Sequence, residues 1–191
     1  MPTTPESIGW ICFHEAAHAV MNVFLGWPIT NIVISPDEYP LGGSRMAGGV
    51  TLPAFFWGDG KVRRPIKVSD LRFAEQSIMV SLAGPTMDSM LRPSQPDTWG
   101  GAKDEEHAEQ RAQDVFPDDP AARRALVMIA RTRTHSILRR PEVSRAVIRL
   151  ASRLCPGRAG GHLMPGGTAT RIIRSAFREN IGQNPITPPA R

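Results

Sequence analysis

Cysteine is scarce: the 191 residues hold two, Cys12 and Cys155, far apart and in no CxxC pair. This argues against a disulfide framework and against a cysteine zinc ribbon, and it makes a reducing interior the simpler home. No run approaches the ~20 apolar residues of a membrane span, and no basic stretch precedes an apolar core as in a signal peptide. The expectation is a soluble, cytoplasmic protein with no membrane insertion. Acid is also scarce in one place. Residues 121–191 carry 14 basic and 2 acidic side chains, against 9 and 16 in residues 1–120. A basic face can meet an acidic partner or nucleic acid, but these arginines fall in amphipathic helices whose solvated faces ordinarily hold them, which argues against nucleic acid as a partner.

With 41% hydrophobic and 21% charged residues, the chain has the composition of one folded domain, expected over residues 1–182 with a flexible tail at 183–191. Thr4-Pro5 reads as a cap and first turn of a helix that runs to about Leu25, where Gly26 and Pro28 stop it. Thr30 to Ser35 and Gly49 to Leu52 read as strands of a small antiparallel sheet. The aperiodic stretch 53–67, with Phe55, Phe56 and Trp57, reads as a loop that could cover a cleft or dock a partner. Helices are expected from Ser69 or Asp70, interrupted at Gly84-Pro85; from about Asp104 to Val115; and from Pro120, Pro141 and Thr168. Gly161 to Pro165 reads as a turn between helices. The fold class is therefore mainly α with a small antiparallel β-sheet.

The chemistry-bearing motif is His14-Glu15-Ala16-Ala17-His18 on the first helix. Residues four apart on a helix lie one above the other, so the two imidazoles can share one ion. Zinc suits them because it accepts imidazole nitrogen and keeps a fourth position for water. Glu15 can then take that water's proton as general base. A third protein ligand must come from downstream, where Asp88, Asp97, Asp104, Glu105, Glu106 and, less naturally, His107 are the candidates.

The segment FHEAAHAVMNVFLGWPITNIVISP followed by GGVTLP resembles the peptidase domain of the FtsH family of AAA+ proteases. Val80-Ser81-Leu82-Ala83-Gly84-Pro85-Thr86-Met87-Asp88 is similar to that family's LAGRAAEE segment, and Gly100-Gly101-Ala102-Lys103-Asp104 with Ala108 to its GASND segment. The resemblance spans about residues 8–180 and implies a zincin-like helical domain. It implies Asp104 as third zinc ligand, with Glu105 its competitor; Asp88 as a carboxylate orienting a histidine; and Gly49, Val50 and Thr51 as an edge strand along which a peptide lies. Pro85 and Ala17 depart from the family pattern but are not ligands. The family's ATPase domain and membrane anchors are not among these residues, so the resemblance carries over neither ATP use nor hexamer formation.

The expected function is a zinc metallopeptidase acting on polypeptide, unaided or fed by a separate unfoldase or adaptor. The alternative is a catalytically silent, zinc-stabilised interaction module that binds an acidic partner or nucleic acid through its basic C-terminal helices. A zinc hydrolase of non-peptide amides would carry the same metal and base.

Overall fold

The computed structural model of the protein describes residues 5–34, 68–93, 101–155 and 162–179. Among them are seven helices and two strands: α1 Pro5–Phe24, β1 Asn31–Ile34, α2 Val68–Ser81, α3 Ala83–Leu91, α4 Gly101–Val115, α5 Pro120–Leu138, α6 Pro141–Leu154, β2 His162–Pro165 and α7 Gly166–Arg178. The architecture is mainly helical with a two-stranded antiparallel sheet. Helix α1 packs on α3 and α6, α7 lies on α6, and α2 packs on α4 and α5.

Local chemistry accounts for the boundaries. Gly26, at φ +81°, ends α1 in a left-handed residue that a side chain would disfavour. Around it Leu25 donates to the Met21 carbonyl at 3.0 Å and Trp27 to that of Asn22 at 2.8 Å, satisfying carbonyls left over at the helix end. Asp119 caps α5, accepting from the Ala121 and Ala122 amides at 3.0 and 2.9 Å, with Pro120 in the first turn. Pro85 has no N–H to give the Ser81 carbonyl, and the helical run breaks at Leu82 into α2 and α3.

Helix α6 shows how the C-terminal layer is held. Val143, Ala146, Val147, Leu150, Ala151 and Leu154 are buried at steps of three and four residues, against Ile173 and Ala176 of α7 in the same core. Each fully buried aliphatic side chain here contributes roughly 1.5–3 kcal/mol. Met21, Met79 and Met87, at helical spacing, are buried in the core, and Met90 is partly buried against it.

Two expectations are corrected. First, β1 pairs with β2, with Val33 opposite Leu163 and Ile32 opposite Met164, so His162 to Pro165, expected within a turn between helices, is a strand. Four residues are too few for a period of two to stand out, and Pro165 at the strand's end disguised it. The expected strand Gly49 to Leu52, the aromatic stretch 55–57 and the tail 183–191 lie outside the described residues. Second, Cys12 and Cys155 form a disulfide, their Cα atoms 6.0 Å apart across a sequence separation of 143. Distance along the chain is no guide once α1 and α6 pack together. The bond removes the ground for assigning a reducing compartment, since disulfides persist where the surroundings are oxidising. Among the described residues no helix is long and apolar enough to cross a membrane.

Candidate metal centre

The histidines of α1 point into a junction of α1, α3, α4 and the end of α2. Four residues apart, their rings meet at 4.8 Å between centroids. Asp104 arrives from the first turn of α4, where the helix N-terminus favours a carboxylate. Asp88 arrives from α3, and the Val80 carbonyl from the last turn of α2. That helix end leaves carbonyls without partners, because the chain breaks at Leu82.

These anchors set the tautomers. The Val80 carbonyl lies 2.7 Å from His18 Nδ1 and can only accept, so His18 Nδ1 carries the proton. Asp88 Oδ2 lies 2.7 Å from His14 Nδ1 and, as a carboxylate, makes the same demand. In the neutral rings both Nε2 atoms are then bare lone pairs. Yet they face each other at 3.1 Å, with Asp104 Oδ2 at 3.0 Å from one and 3.3 Å from the other. Three acceptors converge with no proton to share unless a ring becomes cationic. Ligand atoms at the corners of a tetrahedral zinc site lie about 3.3 Å apart, given bonds of 2.0–2.1 Å. The three observed edges fit that shape, and His14, His18 and Asp104 together could hold a metal ion.

Burial sharpens the demand for positive charge. His14 is 8% exposed, Glu15 3%, His18 4%, Asp88 6% and Asp104 3%, so three carboxyls share one nearly dry pocket, where unpaired charge is costly. Burial disfavours a charged His14, but hydrogen bonds to Asp104 and Asp88 outweigh it and push its pKa up to about 10. His18 is also raised: burial opposes, and the charge of Asp104 and its hydrogen bond prevail. Burial opposes ionisation of Asp104, but the neighbouring His18 and bonds from both imidazoles hold its carboxyl well below the usual range. Glu15 is raised chiefly by burial, with both histidines pulling the other way. Its Oε2 is buried without a hydrogen-bond partner, as is Asp88 Oδ1. Such orphans fit a site built around a cation and a water.

Of the residues singled out from sequence, the structure brings together His14, Glu15, His18, Asp88 and Asp104. Glu105 turns away and pairs with Arg131 at 3.0 Å on the surface, while Glu106 and His107 are exposed. Of the two, Asp104 and not Glu105 is the carboxylate that stands beside the histidines. Asp97, Gly49, Val50 and Thr51 lie outside the described residues. Sequence reasoning missed the Val80 carbonyl, although Pro85, by breaking the helix four to five residues later, is the signal that frees carbonyls there. It also missed an outer tier. Trp10 lies one turn before His14 and Arg92 one turn after Asp88, with the guanidinium carbon 4.7 Å from the indole centroid. No protein-family model matches the chain, and no curated protein does.

Proposed function

We propose that this protein is a zinc-dependent metallopeptidase of zincin-like fold, with His14, His18 and Asp104 as the metal ligands and Glu15 as general base. The observation that carries the reading is the convergence of three buried acceptor atoms, each ring held by its far nitrogen, beside a buried carboxylate with an unpartnered oxygen. Neutral imidazoles and a carboxylate are the donor set of catalytic zinc sites, where three protein ligands leave one position open. Zinc held by His14, His18 and Asp104 would act as a Lewis acid and lower the pKa of water toward ~7.

The chain's own groups do the rest. Asp88 and the Val80 carbonyl fix the two rings in the Nδ1–H tautomer, so the Nε2 lone pairs stay directed inward. Glu15 is outside the ligand set and keeps Oε2 free to take a proton from water and return it to the leaving amine nitrogen. A buried carboxyl with a raised pKa suits that two-way transfer better than an exposed one. Polypeptide as substrate rests on the resemblance to the FtsH-family peptidase domain.

The test is metal analysis of the purified protein together with cleavage of an unfolded protein substrate by wild type, Glu15→Gln and Asp104→Ala. Wild type should carry one zinc and cleave. Glu15→Gln should keep the zinc and lose activity by roughly 10²–10⁴-fold, and Asp104→Ala should lose both. Wild type without affinity for zinc would sink the proposal, and a zinc-loaded Glu15→Gln as active as wild type would remove the base from its role.

A further inference from the structure

Helices α1 and α3 run antiparallel in a ladder of matched positions. Trp10 meets Arg92, His14 meets Asp88, and one turn further along α1 and one turn back along α3, His18 meets Gly84. The last rung has no side chain on one side. A β-carbon built on Gly84 would lie closer than 3.0 Å to the Nε2 atoms of both His14 and His18 and 2.5 Å from His14 Cε1, nearer than real Cβ atoms come to their neighbours. A point that close to both bare nitrogens is within reach of the place an ion bridging them would occupy.

The backbone does not ask for glycine there. Gly84 is buried in the first turn of α3 and has no left-handed φ, unlike Gly26. In a helix glycine is worse than alanine, so what the position requires is empty volume. The atoms that volume protects are the two ring nitrogens.

We propose that Gly84 is a positioning residue of the metal centre: its missing side chain keeps open the space at the paired Nε2 atoms where the ion and its fourth ligand sit. The inference rests on the reading of His14, His18 and Asp104 as a metal site. It predicts that Gly84→Ala still folds, because the rings can tilt aside, but at the expense of the Nδ1 anchors that direct them inward.

The experiment measures zinc affinity and thermal unfolding for wild type and Gly84→Ala, and then repeats the substitution in a His14→Ala/His18→Ala background. Gly84→Ala should weaken zinc binding by roughly 10–100-fold while keeping native helical content. Cobalt substituted for zinc should give wild type the intense visible bands of a tetrahedral site and the variant none. In the background without imidazoles, the extra methyl should leave the melting temperature unchanged or raise it. Two outcomes overturn the proposal: unchanged zinc affinity in folded Gly84→Ala, or equal destabilisation by the methyl with and without the histidines, which would make Gly84 a helix-packing residue. Absence of zinc from wild type is a separate failure, that of the metallopeptidase reading, and the melting comparison still decides whether Gly84 makes room for the rings.

Discussion

Helices α6 and α7 bury aliphatic side chains and glycine or alanine, whereas α1, α3 and α4 bury two histidines, three carboxylates, Asn22 and Thr86 among theirs. One layer is held by removing apolar area from water; Arg153, Arg171, Arg174 and Arg178 are exposed, whereas Arg145 has its Nε and Nη2 atoms buried without a hydrogen-bond partner. The other encloses two histidines and three carboxyls away from water, where unpaired charge is costly. Helix α1 belongs to both, since Cys12, Ala16, Ala19 and Val20 are in the common core while His14, Glu15 and His18 are in the polar pocket. Stability and chemistry are therefore separable by substitution. Leu150→Ala, in the middle of α6, should lower unfolding free energy by roughly 2–5 kcal/mol through lost transfer energy and a residual cavity. It should leave zinc stoichiometry at the wild-type value, measured by denaturant unfolding and metal analysis on one preparation. A folded Leu150→Ala that cannot hold zinc would show that the two layers are coupled.

The layers also differ in how far they could be read from sequence. The helices of the apolar layer announce themselves through period and proline, and α6 and α7 begin at or within two residues of Pro141 and Thr168. His14, Glu15 and His18 were legible because helical spacing alone puts the two imidazoles on one face. Asp104 was one of several downstream candidates by residue type, and only the resemblance singled it out, because a lone aspartate at a helix start is indistinguishable from a cap. What spacing could not reach was contact between distant segments: the Val80 carbonyl on His18, the Cys12–Cys155 bond and the pairing of β1 with β2. Each joins residues more than sixty positions apart, and each depends on how helices pack, which no local pattern encodes.

The response to pH should divide the metal-free from the zinc-loaded protein. Without metal, His14 has a folded-state pKa of about 10, above its ordinary 6.5. Its stabilising contribution is complete below pH 6.5 and is lost as pH rises through about 10. Asp104, whose pKa is lowered, contributes above its ordinary 3.8 and loses that contribution as pH falls below it. The metal-free protein should thus weaken on the alkaline side. With zinc the sign reverses around the histidines, because the ion needs both rings neutral and competes with protons for them. The zinc-loaded protein should gain stability as pH rises from 5 to 8, a shift read by thermal melts with and without chelator. Parallel profiles in the two forms would mean that zinc binds elsewhere.

The smallest effect belongs to the solvated face of the C-terminal layer. Arg149 holds Glu179 in a two-bond fork at 2.6 and 2.7 Å, and the hydrogen bonds within it raise the Arg149 pKa and lower that of Glu179. Both side chains are exposed, at 41% and 50%, so water competes for each bond and salt screens the pair. The cluster around His14 shares the same chemistry of cation and carboxylate but is shut away from water, and that difference in surroundings decides what a deletion does. Arg149→Ala should leave the unfolding midpoint within experimental error at physiological salt and leave zinc content untouched. Any loss it does cause should disappear in 1 M salt. A loss that survives high salt would mean that the pair tethers α6 to the end of α7 by packing as well as by charge.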